Sequence, residues 1–261
     1  MTEYFLMAAI LIISITMAMV GKGGGNFYVI AIVLSGVSMH QAASSSQAIM
    51  LATSLAAMLV FMKSKKIDWK LALIIDPATD VMAFVGGYFS SRITGTSLKT
   101  VFAICLILVS IFMLIKVKEK HISGTKRFGY WHREFGGYKY TVNLWIALPI
   151  TALVGLFAGA VGISGGAFKI PLMVMLCGIP IEIAIGTSSA MVAVTALMGL
   201  LGHSLNGNFD INFAIPLVIL ALIGGLIGGK LALRNKPKNL KVIFALTNLI
   251  AAIVMLINIF S

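Results

Sequence analysis

Apolar residues along this chain run in long blocks, and polar residues collect in short turns between them. The blocks Tyr4–Val20, Gln41–Met62, Leu71–Phe89, Phe213–Leu231 and Leu240–Phe260 approach or reach the roughly 20 residues that a helix needs to cross about 30 Å of hydrocarbon. Lipid offers no partner to a backbone N–H or C=O, so spanning segments must be helices or closed barrels. Alternating strand patterns are absent, which predicts an all-α polytopic membrane protein. The first block opens with Thr2 and Glu3 instead of a basic region, so it is read as a membrane helix and not as a secretory signal.

The second half repeats the first at an offset near 142 residues. Gly21, Gly24, Gly25 and Phe27 match Gly162, Gly165, Gly166 and Phe168 at 141. After one inserted residue, Gly36, Ser46, Asp68, Gly86, Gly87, Arg92, Leu98, Lys99 and Phe102 match Gly178, Ser188, Asp210, Gly228, Gly229, Arg234, Leu240, Lys241 and Phe244 at 142. Each half reads as a long apolar segment, a glycine-rich break, a short apolar piece (Phe27–Val37 and Phe168–Cys177) and three further apolar segments. The short pieces reach only partway across a bilayer at about 1.5 Å per residue. Each is a half-helix that completes a crossing, giving about five membrane segments per half, or the returning arm of a re-entrant hairpin.

Lysine and arginine in the turns set orientation. Lys63–Lys70 carries Lys63, Lys65, Lys66 and Lys70, whereas its mate Asn206–Asn212 has no basic residue; the next pair of turns reverses the bias. Equivalent turns therefore face opposite sides, which predicts inverted-topology repeats at 1–115 and 144–261 joined by a basic linker at 116–143. The linker belongs in the cytoplasm and both termini outside. Its aromatic residues, among them Trp131 and Tyr140, fit a connector with an interfacial portion, and Trp145 fits an interface anchor.

The candidate chemistry sits at the breaks. Gly21-Lys22-Gly23-Gly24-Gly25-Asn26 and Gly162-Ile163-Ser164-Gly165-Gly166-Ala167 share a G-x-x-G-G pattern between apolar segments. Broken helices are tolerated in a membrane where the freed backbone is buried in protein or lines a cavity. A short helix starting at such a break presents free N–H groups and the positive end of its dipole to an anion; close helix packing through small residues is the alternative use of the glycines. A second polar patch follows each short piece, Ser44-Ser45-Ser46-Gln47 and Thr187-Ser188-Ser189, and is read as the start of a longer helix, where hydroxyls cap the helix or donate to an oxyanion. Lys22 and Lys169 stand beside the breaks, either to neutralise an anion or to snorkel from a shallow position. A bulky residue at Gly24 or Gly165 is then expected to abolish transport without unfolding the chain.

Asp76 and Asp80 lie four apart on one face of the block Leu71–Phe89, with Pro77 between them, and their repeat-mates Val218 and Leu222 are apolar. Acids inside a membrane helix serve ion or proton pathways or pair with a base, so the two are candidates for proton coupling, with a structural pair to Lys22 or Lys169 as the alternative. His40, His203 and Glu182 fall near span ends, and Asp68 and Asp210 are positioned to cap the helices that follow them.

Composition narrows the classes. With 59% hydrophobic and 11% charged residues and a mean hydropathy of +1.03, the chain cannot clothe a water-soluble globule. The +12 formal charge is explained by topology and not by nucleic acid. Cys105 and Cys177 lie in apolar runs without metal-ligand spacing; no cofactor motif and no nucleophile–base–acid set emerges, so neither a resident metal nor an enzyme is implied. A divalent-cation permease using Asp76 and Asp80, and a membrane scaffold acting through the linker, are the rival readings.

The chain resembles the TauE/SafE family of sulfite exporters, the TSUP transporters. The resemblance rests on Gly21–Gly25 with Ala43–Ser46, Lys66-Ile67-Asp68-Trp69, Gly86-Gly87 with Arg92, and in the second half Gly162–Gly166, Pro171, Gly186–Ser189, Asn208-Phe209-Asp210 and Gly228-Gly229 with Arg234. It implies secondary transport of small sulfur-containing anions such as sulfite, sulfoacetate or thiosulfate across a cell membrane. Lys22, Asp76 and Asp80 depart from the family pattern.

Overall fold

The structure is a computed structural model that describes residues 2–92, 128–162, 165–205 and 209–236, with isolated positions at 94, 97, 100, 104, 207, 239, 240, 242, 243, 246 and 250. Ser164, Cys105, the first part of the linker and most of the block Leu240–Phe260 lie outside the described residues.

The first half forms α1 (Thr2–Met19), α2 (Gly25–Leu34), α3 (Met39–Lys63) and α4 (Trp69–Phe89), the last extended by a 3-10 turn at Ser90–Arg92. The second forms α5 (Leu144–Val161), α6 (Gly166–Pro171, continued by a π-helical stretch Leu172–Leu176), α7 (Ile181–Ser204) and α8 (Ile211–Arg234). Side-chain caps fix several starts by occupying first-turn amides that have no intrahelical partner. Asp68 accepts from the Lys70 and Leu71 amides, Asp210 from those of Asn212 and Phe213, and Asn143 from that of Trp145. Among the described residues, α3, α4 with its 3-10 turn, α5, α7 and α8 are long and apolar enough to cross a membrane, as expected of an all-α polytopic protein.

Glycines let the helices touch backbone to backbone, and the contacts show the helix directions. Thr151, Gly155 and Gly159 of α5 meet Ile75, Thr79 and Ala83 of α4 in the same order, so these helices run parallel. Gly224 and Gly228 of α8 likewise meet Ser14 and Ile15 of α1. Gly225 and Gly229 of α8 lie on Thr53 and Val60 of α3, while the start of α7 adjoins the turn before α4, through Gly186 on Lys66, and its end adjoins α4's end, through Gly202 on Tyr88. Between α3 and α7 the order reverses: Gln47 meets Gly199, and Gly23 sits between Met50 and Val192. Thus α1, α3 and α8 run one way, and α4, α5 and α7 the other. Exchanging α1 with α5, α3 with α7 and α4 with α8 leaves this arrangement unchanged, and Gly86 on Leu156 has its matched contact in Gly228 on Ile15.

These directions decide what the short pieces do. Ala18 lies on Gly228, and Val60 on the adjacent Gly229, so α1 ends level with the last turn of α3. The chain must then return to Met39 through α2 alone. The chain therefore turns back at the break, so that α1 and α2 form a helical hairpin, and α5–α6 repeats the arrangement from the opposite direction.

The linker is not irregular throughout. Tyr130–Phe135 (β1) and Tyr138–Asn143 (β2) pair antiparallel around Gly136-Gly137, whose φ angles of 59° and 80° are those that a two-residue hairpin turn requires. This small sheet was not expected, because six-residue strands leave a weak pattern beside helical blocks of twenty or more.

Candidate functional site

At the first break Gly21, Gly23 and Gly24 take left-handed φ angles of 68°, 72° and 89°, and at the second Gly162 takes 78°. A side chain is strained in that region, which is why glycine stands there. The hairpin tips meet between α3 and α7. A Cβ on Gly166 would stand 2.9 Å from the Gly21 carbonyl oxygen and 3.0 Å from Lys22 Cα. Two serines brace the junction from opposite sides: Ser188 Oγ donates to the Gly21 carbonyl at 2.8 Å and Ser46 Oγ to that of Gly162 at 2.7 Å. Each thereby satisfies a carbonyl that the break removed from its helix.

This corrects the reading of the polar patches. Ser44–Gln47 and Thr187–Ser189 lie inside α3 and α7, beyond their first turns, and cap neither helix. Most of their groups are already used. Ser44 Oγ donates to Gln41 O, Ser189 Oγ to Ile185 O and Gln47 Nε2 to Ala158 O, while Thr187 Oγ1 accepts from the Asp68 amide. Ser45 Oγ and Gln47 Oε1 are buried without a hydrogen-bond partner.

So is the whole amide of Asn26. It lies in the first turn of α2 with 2% of its surface exposed, and neither Oδ1 nor Nδ2 has a partner. Ser54 Oγ is in the same condition, and a Cβ on Gly23 would stand 2.8 Å from it. Sequence reading missed Ser54, although it follows Gln47 by two helical turns on one face of α3. A buried polar group left unpaired costs about 1–3 kcal/mol, and Asn26 and Ser54 are two such groups beside the first break.

Lys22 and Lys169 are both buried, with at most 1% of their surface exposed, which excludes snorkelling. Lys169 Nζ forms an ion pair with Asp76 Oδ1 and donates to Thr195 Oγ1 at 2.8 Å; Thr195 Oγ1 is also 2.8 Å from Asp80 Oδ1. The acids thus share one cation, Asp76 directly and Asp80 through the Thr195 hydroxyl. This ammonium flanks the second break, 3.7 Å from where a Cβ on Gly165 would lie. The matched positions of the first half hold a neutral version: Tyr28, the mate of Lys169, bonds through its hydroxyl at 2.8 Å to Thr53, the mate of Thr195. Thr195 was not singled out from sequence, since a threonine inside an apolar helix gives no signal until its partner is known.

At the end of α4 that faces the sheet, Asp68 does more than cap. Arg133 of β1 holds both its oxygens, at 2.9 and 3.0 Å, and Tyr140 of β2 donates to it as well. Burial pushes the Asp68 carboxyl up, but the bonds from Arg133 and Tyr140 outweigh it and hold the group below its ordinary value. The Asp68 amide bonds to Thr187, next to the serine that braces Gly21, so the sheet is tied to the first break. Beside it, Lys66 pairs with Glu182 at 2.6 Å. Among the described residues Asp210 has no such partners: it caps α8 and takes one long contact from Gln41 at 3.5 Å. His203 Nε2 donates to Gly159 O, one turn before the second break, and Nδ1 meets Ser90 Oγ. His40 occupies the first turn of α3.

The family described as Sulfite exporter TauE/SafE matches residues 6–255. The chain is similar to "Probable membrane transporter protein YunE" of Bacillus subtilis (strain 168), 25% identical over 249 residues that cover 91% of this chain and 90% of the relative. It is also similar to "Probable membrane transporter protein YdhB" of the same organism, 30% identical over 115 residues, 44% of this chain and 47% of the relative. No solved structure matches. The chain belongs to the TauE/SafE family of membrane transporters.

Proposed function

We propose that the chain is a secondary transporter of a small sulfur-containing anion of the sulfite, sulfonate or thiosulfate class, bound where the two hairpin tips touch. The observation that carries the reading is Asn26, whose amide is buried and unpartnered in the first turn of α2. Amides at a helix start and the helix dipole favour an anion there, and the Asn26 side chain adds a donor for an oxygen. Gly23, Gly24 and Gly25 let the ligand approach the backbone, Ser45 and Ser54 offer hydroxyls, and Lys22 and Lys169 supply positive charge. The short α6, with six residues before its π-helical stretch, makes no equivalent end, so one anion site at α2 replaces two converging ends.

The opposed helix directions and exchanged contacts support inverted repeats that rock about the braced tips to give alternating access. The sheet stands on the same face as the basic turn Lys63–Lys70, which supports a cytoplasmic linker with both termini outside. Asp76 is committed to a lysine, an arrangement that favours proton coupling over the ligation of a divalent cation.

Flux of labelled sulfite, thiosulfate and sulfoacetate into proteoliposomes tests the reading. Saturable uptake of one of them, reduced tenfold or more by Asn26→Leu, supports the site; undiminished uptake in that variant rejects it, and acid-dependent uptake of a divalent metal without anion flux rejects anion transport.

A further inference from the structure

Resting on the reading of an anion transporter, we propose that the Lys169 ammonium is exchanged between Asp76 and the substrate, so that one proton enters with each monoanion and the transport step moves no net charge.

Three observations carry this. First, Lys169 is the common member of both sites. Its Nζ is paired with Asp76, bonded to Thr195, and placed beside Gly165 in the tip that abuts Gly21 and Lys22. Second, the alternative partners are a carboxylate and an anion, which compete for one cation. An anion entering at the tips gains the lysine when Asp76 releases it, and Asp76 can stay buried without the lysine only as the neutral acid. The proton comes from the solution that delivers the anion and rests on a carboxylate oxygen of Asp76, while Lys169 keeps its own. Third, the formal charges balance. With Lys22 and Lys169 protonated and Asp76 and Asp80 ionised, the formal charge of the four side chains is zero. Adding one proton and one monoanion leaves it at zero, which avoids moving an unpaired charge through a low-dielectric interior.

Among the described residues, the surroundings of Asp76 add no rival titrating group. It faces Lys169 from α6 and lies one turn from Asp80 on α4; α5, packed along α4, contains no titratable side chain from Leu144 to Val161. On α7 the titratable groups are Glu182 and His203, one near each end, held by Lys66 and by Gly159 and Ser90. The first half lacks this exchange, because Tyr28 bonds to Thr53 where Lys169 meets Thr195, and Val218 and Leu222 stand at the positions matching the acids.

The test is uptake of labelled methanesulfonate, a monoanion throughout the working pH range, and of labelled sulfite into proteoliposomes. The proton gradient and a valinomycin-set potassium potential are varied independently. Wild-type methanesulfonate uptake is expected to rise with an acid-outside gradient and to ignore the potential. In Asp76→Asn the remaining uptake loses its gradient stimulation and becomes faster with the interior positive, because the junction now carries the anion without its proton. Lys169→Arg, which keeps the charge, is expected to retain gradient-driven uptake. Wild-type uptake that moves charge, or Asp76→Asn uptake still driven by the gradient, overturns the exchange while leaving anion transport standing. The absence of saturable wild-type uptake of methanesulfonate, sulfite, thiosulfate and sulfoacetate alike overturns the anion reading itself. The wild-type arm decides even where a variant fails to fold.

Discussion

The two halves build one scaffold and fill it differently. Ser46 on Gly162 and Ser188 on Gly21 are the same contact made twice, whereas Lys169–Thr195 and Tyr28–Thr53 place a charge in one half and a neutral phenol in the other. Asp68 is gripped by a sheet that Asp210 lacks. Duplicated backbone contacts specify how the halves close on each other, and the unmatched side chains specify what the junction does. The frame is matched, whereas the ion pair of Lys169 stands at only one of the two matched positions.

Substitutions at matched positions can break this comparison. The largest effect is expected at Gly21 and Gly162, where positive φ and a Cβ 2.6 Å from Ile185 O or Ala43 Cα leave no room for alanine. Either Gly→Ala change should abolish folded protein in size-exclusion chromatography. Gly165→Ala should not, because φ is not positive there and the nearest atom would be Lys169 Cε at 3.4 Å. Gly24, at φ 89° with a Cβ 2.8 Å from Met17 Cγ, is no longer expected to accept a bulky residue without unfolding.

Next comes the charged pair against its neutral mate. Lys169→Met strands a buried carboxylate and should cost about 3–5 kcal/mol, whereas Tyr28→Phe removes one neutral hydrogen bond and should cost about 1 kcal/mol. Denaturation midpoints in detergent measure both, and equal losses would mean that the charge asymmetry is without structural weight.

A smaller difference is expected between Asp68→Asn and Asp210→Asn. The first loses charge-assisted bonds to a partly exposed Arg133, about 2 kcal/mol, and the second weakens a cap by about 1 kcal/mol or less. Only Asp68→Asn should expose the sheet to proteolysis. Acid should imitate it: the Asp68 value is lowered in the fold, so its contribution is present above the ordinary carboxylate value of about 3.9 and is lost as pH falls through the lower folded value. Proteolysis of the sheet should therefore accelerate only below about pH 4.

The smallest contrast is between Ser46→Ala and Ser188→Ala. Each removes one buried bond, about 1–2 kcal/mol, and the two losses should agree. A large difference would show that the tips are not equivalent braces.

Much of the scaffold was legible because its signals are local. The positions of α3, α4, α7 and α8 follow from apolar blocks, Asp68 and Asp210 mark helix starts, and the matched glycines mark both breaks. The site was legible in kind and less so in detail. Lys169, Asp76 and Asp80 stood out because charge is costly in lipid. Ser54 and Thr195 did not, since a hydroxyl in an apolar helix can bond its own backbone. Ser46 and Ser188 were recognised as paired and read as caps or as donors to a ligand, and the fold shows that they hold carbonyls of the opposite break.

The sequence by itself determined a helical membrane protein with duplicated breaks, because the transfer of apolar residues and the cost of buried charge accumulate along the chain. Only the tertiary structure decided how the two breaks pack against each other, which lysine Asp76 holds, and which hydroxyls are already spent. Those outcomes depend on partners far apart in sequence, 93 residues for Lys169 with Asp76 and 167 for Ser188 with Gly21. A polar group in a dry interior takes whichever partner packing brings within reach, and local sequence carries no record of that partner.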